Sequence, residues 1–182
     1  MKKTIILTIA LLSIKTSAQV IIGDAKGTAV NKTSVLLEFE VGKNKGLILP
    51  YVRTKPTNPA PGTLILNATT PTAANVEYWD GTTWISLGSN KASDKGDVTT
   101  ALAKQPLTSE DIKGRAIIGA TDSAADGVLV LESNTKAMVL PTVDDVTKIP
   151  SPAPGMMVYI NKTGAKRLAF YNGNTWSFFA PQ

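Results

Sequence analysis

The sequence predicts a mainly β protein made of two tandem, small antiparallel β-modules with a polar, partly helical linker between them. Three observations predict it. The chain repeats itself about 92 residues apart: Lys45-Gly46-Leu47-Ile48-Leu49-Pro50, Pro59-Ala60-Pro61-Gly62 and Tyr78-Trp79-Asp80-Gly81-Thr82-Thr83-Trp84 return as Lys136-Ala137-Met138-Val139-Leu140-Pro141, Pro152-Ala153-Pro154-Gly155 and Phe170-Tyr171-Asn172-Gly173-Asn174-Thr175-Trp176. Within each copy apolar residues alternate with a period of two. Turn-forming dipeptides fall at the same places in both copies.

In chain order, residues 1–18 read as a signal peptide. Lys2-Lys3 precedes an apolar run from Ile5 to Leu12, and the segment ends in the small residues Thr16-Ser17-Ala18. No later stretch approaches the roughly 20 apolar residues of a transmembrane helix, so no membrane insertion is expected after signal cleavage. Residues 19–89 then form β-module 1, 90–116 the linker and 117–182 β-module 2.

In module 1, Val35, Leu37, Phe39 and Val41 alternate with Leu36, Glu38 and Glu40, the pattern of a half-buried strand with its glutamates toward solvent. Its counterpart Val128-Leu129-Val130-Leu131 places Val130 where the first copy has Glu38, so the second copy is expected to have this face covered by the linker, the first module or another subunit. A short strand ends at Leu49-Pro50 and at Leu140-Pro141. Pro61-Gly62 and Pro154-Gly155 fit the centre of a type II turn, because proline presets the first φ and glycine supplies the positive second one. Strands follow at Leu64-Ile65-Leu66 and Met157-Val158-Tyr159-Ile160. Asp80-Gly81 and Asn172-Gly173 predict two-residue type I′ hairpins, with Trp79 and Trp84, like Tyr171 and Trp176, as diagonal neighbours on one face. In the linker, Asp97 to Lys104 reads as a short helix capped by Asp97 and followed by Pro106, and Thr108-Ser109-Glu110-Asp111 as a second cap-like run.

Composition excludes much chemistry. The chain has no histidine and no cysteine, which removes Ser-His-Asp, Cys-His and zinc sites and any disulfide. Of its 19 basic residues, Lys2, Lys3 and Lys15 lie in the signal segment, leaving 16 against 14 acidic ones. A scattered charge near +2 offers no stripe for phosphates, so no nucleic acid partner is expected. Glu38 and Glu40 as a catalytic acid pair would need a cleft and split pKa values. Asp144-Asp145 and the run Asp122 to Asp126 lack calcium-loop spacing and read as turn formers. No catalytic residue, metal site or cofactor is assigned. Eight of the 11 aromatic residues lie in the two terminal hairpins. Core or subunit packing is the expectation for them, with sugar stacking as the competing role. Trp79, Trp84, Tyr171, Trp176 and Val130 are the candidate ligand or partner contacts.

The order of strand, Lys-Gly-x-x-Leu-Pro, polar loop, Pro-x-x-Gly with an apolar strand, and Tyr-Tyr/Trp-Asp/Asn-Gly-x-x-Trp resembles a module common in secreted Bacteroidota surface proteins and in tail-fibre-like proteins of their phages. It covers about 34–87 and 127–179, and the second copy departs from it with Lys136-Ala137. The resemblance implies an extracytoplasmic, non-enzymatic structural or adhesive protein, secreted, surface-bound or periplasmic. Such a protein would self-assemble, as a trimer in fibre-like relatives, or bind a surface protein or glycan. A carbohydrate-binding module using the hairpin aromatics is the alternative. In that lineage Asp122-Ser123-Ala124 also resembles a short O-glycosylation signal at Ser123.

Overall fold

The computed structural model describes residues 19–23, 26–89, 91–107, 111 and 114–179. The expected signal peptide and most of the Thr108 to Asp111 run lie outside the described residues. The strands of the first repeat are β1 (Val20–Ile22), β2 (Val35–Phe39), β3 (Leu47–Ile48), β4 (Tyr51–Val52), β5 (Leu64–Asn67), β6 (Asn75–Trp79) and β7 (Trp84–Ser86). After helix α1 (Thr99–Leu102) come β8 (Ala116–Ile118), β9 (Leu129–Leu131), β10 (Ala137–Met138), β11 (Thr142–Val143), β12 (Met156–Ile160), β13 (Arg167–Tyr171) and β14 (Trp176–Phe179). The class is mainly β, as the alternation predicts.

Each repeat builds the same four-stranded sheet in the same register. β4 lies parallel to β5, with Tyr51 opposite Leu66, and β5, β6 and β7 continue antiparallel. β11 to β14 reproduce this: Thr142 lies opposite Tyr159, Met157 opposite Phe170 and Tyr171 opposite Trp176. The proline-glycine turns entering β5 and β12 close as expected. Gly62 and Gly155 have φ of +87° and +76°, and the N–H groups of Thr63 and Met156 donate to the carbonyls of Ala60 and Ala153.

The hairpin loops differ from the type I′ expectation. Trp79 pairs directly with Trp84, and Tyr171 with Trp176, so each loop has four residues and the aromatics are direct rather than diagonal partners. Gly81 and Gly173 have positive φ, whereas Asp80 and Asn172 do not. Their side chains instead accept hydrogen bonds from two successive backbone N–H groups, Thr82 and Thr83 in one loop and Asn174 and Thr175 in the other. A side-chain acceptor at the first loop position therefore replaces the second left-handed residue.

The repeats are interlocked. β10 of the second repeat adds in parallel to β2, whose other edge carries β1. β3 of the first repeat adds antiparallel to β12. Parallel β8 and β9 form a separate pair. The larger core joins Leu49, Leu66, Val76, Val98 and Leu102 to Met157 and Phe170 from the second repeat. A second core, Val143, Val146, Ile149, Met156, Val158, Ile160 and Ala169, lies within the second repeat. In the linker the helix is shorter than the expected Asp97 to Lys104 and its N-cap is Val98, without a side-chain cap. Asp97 accepts the Thr99 N–H at 2.9 Å in the turn just ahead, and Val98 and Leu102 enter the larger core.

Glu38 corrects the expectation of a solvated strand face. Its side chain is 0% exposed, because residues 26–32 cross over β2 and close the face from a distance in sequence that alternation cannot reveal. Lys32 pairs with it, and the Gln19 side chain and the Ala29 N–H donate to it. The contrast of a solvated first copy and a covered second copy therefore falls, since Glu38 is at least as buried as Val130.

Candidate functional site

The two repeats diverge most on one face of their equivalent sheets. In the second repeat Met156, Val158, Ile160 and Ala169 form core there, with Tyr171 and Trp176 packed against it. The corresponding positions in the first repeat are Thr63, Ile65, Asn67 and Glu77, flanked by Trp79 and Trp84. Three of the four aliphatic side chains have become polar or charged, and only Ile65 keeps the aliphatic character.

Asn67, Glu77 and Lys55 form a connected set, whereas the Thr63 hydroxyl donates to the Ala60 carbonyl. Asn67 Nδ2 donates to Glu77 Oε1 at 2.9 Å. Lys55 Nζ lies 2.6 Å from Glu77 Oε2 and 5.4 Å from the centre of the Trp84 ring. Ser86, opposite Glu77, accepts from Asn75 and donates to the Gly88 carbonyl. The Trp79 and Trp84 rings are 5.5 Å apart and tilted by 55°. Both indoles are half-buried and belong to neither core. Aromatic faces beside an amide, a carboxylate and an ammonium group can stack on a ring and hydrogen-bond its substituents. With Glu77 held between Asn67 and Lys55, the arrangement suits binding rather than proton transfer.

The predicted contacts thus separate into three places. Trp79 and Trp84 meet on this polar face. Tyr171 and Trp176 also meet, with rings 5.3 Å apart, but lean on the second core. Val130 lies apart, buried in β9. Lys55, Asn67 and Glu77 escape a reading based on the repeat motifs because they fall between them. A position-by-position comparison with Ile160 and Ala169 is the signal that finds Asn67 and Glu77.

The acidic candidates are occupied locally. Asp145 accepts from Thr147 N–H and hydroxyl, which hold its carboxyl below the usual range, and Asp144 pairs with Lys148 at 3.2 Å. Asp122 pairs with Arg115, and the Ser123 hydroxyl donates to Glu132. Burial pushes the Glu38 carboxyl upward, yet Lys32, the Ala29 N–H and Gln19 outweigh it and hold the group below its ordinary value. Among the described residues no group of histidine, cysteine, aspartate and glutamate could hold a metal ion, and no helix is long and apolar enough to cross a membrane.

The sequence profile of the phage tail-like trimerisation region matches residues 24–101 and again 117–181. The chain belongs to this family. The matches take in both repeats and leave most of the linker aside. No curated protein and no solved structure matches. As a phage tail-like trimerisation chain it is a fibre-like structural protein that assembles as a homo-oligomer, a trimer.

Proposed function

We propose that this chain is an extracytoplasmic, non-enzymatic structural and adhesive protein that trimerises through its β-repeats and engages a surface partner. The observation that carries it is the trimerisation match over both repeats. The Lys2-Lys3 start with its apolar run supports export. Light scattering coupled to size exclusion on residues 19–182 tests the assembly, with three chains expected. A strict monomer at micromolar concentration would overturn it.

A second reading has its own observation. The Trp79 and Trp84 pair beside Asn67, Glu77 and Lys55 supports carbohydrate binding by the first repeat. Glycan-array binding that is lost in Trp84→Ala, and kept in Trp176→Ala, with circular dichroism unchanged for Trp84→Ala, supports that reading. Binding that survives Trp84→Ala removes it.

A further inference from the structure

Two corresponding strands use opposite edges. In β3 the Leu49 N–H faces β12 and donates to the Gly155 carbonyl at 3.0 Å. In β10 the N–H groups of Ala137 and Val139 face β2 and donate to the carbonyls of Ser34 and Leu37, each at 2.8 Å. Ala137 and Val139 are the counterparts of Gly46 and Ile48, and successive residues of a strand turn to opposite edges. Among the described residues, then, β3 leaves its Gly46 and Ile48 edge without a strand, and β10 its Met138 and Leu140 edge.

Two acceptor edges are open in the complementary sense. β8 and β9 repeat β1 and β2: Ala116 lies opposite Leu129 as Val20 lies opposite Leu37. The Glu132 N–H donates to the Ile118 carbonyl as Glu40 does to Ile22. β2 carries β10 on its outer edge, whereas β9 carries no described strand there. Likewise β12 takes β3 beside Met156 and Met157, and the matching Thr63 and Leu64 take none.

Burial shows that the β9 edge is unfinished. Leu36 and Leu37 are 3% and 0% exposed, and their counterparts Val128 and Leu129 are 66% and 41% exposed. Leu36 is covered by the second repeat at Gly119, where a Cβ would lie 3.1 Å from Leu36 Cδ1. Gly23 is the counterpart of Gly119 and shares its positive φ, +119° against +101°. Ile48, on the free edge of β3, is 50% exposed.

We infer that a second copy of this chain completes these edges, repeating between chains the contact that joins the repeats within one. β3 of the second copy adds in parallel to β9 of the first, with the Ile48 N–H donating to the Leu129 carbonyl and Gly23 covering Val128. In the same contact β10 of the first copy adds antiparallel to β5 of the second, with the Leu140 N–H donating to the Gly62 carbonyl. Side-chain size fits. Gly46 has no room for a Cβ against Met156 Cγ and the Met157 carbonyl. In the new pairing the extra methyl of Ala137 meets Thr63 instead of a methionine. The contact joins unlike surfaces, so it runs head to tail and closes only if the rotation per chain allows. The inference rests on the trimeric reading, which sets closure at three chains and gives a ring of six repeats.

The test uses the purified full chain and two single variants. Val128→Lys puts a charge on a side chain that is exposed in the single chain and covered in the ring. Ile48→Pro removes an N–H that faces away from β12. Both are expected to shift the light-scattering mass from three chains to one at micromolar concentration with an unchanged circular dichroism spectrum. A monomeric parent chain overturns the trimeric reading itself. A trimeric parent whose two variants stay trimeric overturns only the proposed edges. Because the chain has no cysteine, an Ile48→Cys, Val128→Cys double variant bridged by a short bismaleimide supplies a readout independent of variant folding. A covalent trimer as the largest species is expected, and either no interchain product or a ladder beyond three overturns the closed ring.

Discussion

Replacing Lys32 by alanine should destabilise the protein in a way that depends on pH, and the direction follows from the clasp around Glu38. Wild-type Glu38 is fully buried and holds a carboxyl value below the ordinary one. Its contribution to stability is therefore present above the ordinary glutamate value near 4.3 and is lost as pH falls through the lower folded value. Without Lys32 the carboxylate keeps the Ala29 and Gln19 donors but loses its counter-charge, so burial dominates and the folded value rises above the ordinary one. Beyond the lost wild-type stabilisation, the penalty of keeping the unpaired carboxylate buried has a ceiling, because the group can always take a proton. At about 1.36 kcal/mol per pH unit above 4.3, that ceiling is about 3.7 kcal/mol at pH 7 and about 1 kcal/mol at pH 5. Lys32 is itself partly exposed, which places the expected loss at pH 7 near 2 kcal/mol. Urea unfolding at fixed protein concentration, at pH 7 and pH 5, measures both losses. Equal losses at the two pH values, or none at pH 7, would refute the reasoning.

Phe170→Ala should cost about 3–5 kcal/mol and lower the stability of both repeats in one unfolding transition, because the ring fills a core shared with Leu66, Val76 and Leu102; two separated calorimetric transitions would contradict it. Gly173→Ala should cost more than Gly81→Ala. Both residues have φ near +100°, but a Cβ at 173 meets Pro154 Cγ at 3.1 Å and the Asp97 carbonyl at 3.2 Å, whereas one at 81 meets nothing closer than 3.6 Å. About 1 kcal/mol for Gly81→Ala and at least 1 kcal/mol more for Gly173→Ala are expected from chemical denaturation. Trp176→Ala, which uncovers the second core, should cost about 2–3 kcal/mol, and Trp84→Ala, which uncovers neither core, about 1 kcal/mol; thermal melts in the reverse order would count against the assignment of the two hairpins.

What the sequence reveals follows the range of the interaction responsible. The turns at Pro61-Gly62 and Pro154-Gly155 are legible because both residues carry their own backbone constraint. The hairpins after Trp79 and Tyr171 are legible as hairpins, but not their loop type, since Asp80 and Asn172 can either adopt positive φ or cap the loop with their side chains. Asp97 is legible as a turn former ahead of α1 for the same local reason, though Val98 takes the cap position. Glu38 is not legible. Its alternation with Leu37 and Phe39 is that of a solvated strand, and only Gln19 and residues 26–32 folding back reverse it. β3 and β10 are two residues long, too short to carry a period, and their partners lie in the other repeat. At the candidate site Trp79 and Trp84 stand out by residue type, whereas Asn67 and Glu77 gain meaning only beside Ile160 and Ala169.

The crossing of β10 onto β2 has a consequence for the order of events during synthesis. Val35 and Leu37 are made about 100 residues before Ala137 and Met138, so the first sheet must wait for its third strand until the second repeat is under way. Pairings so distant in sequence make folding slow and leave an apolar strand edge unguarded meanwhile. The nascent first half is thus exposed to misassociation with neighbouring chains that carry the same strands, and truncation before residue 137 should yield an aggregating fragment rather than a smaller working unit.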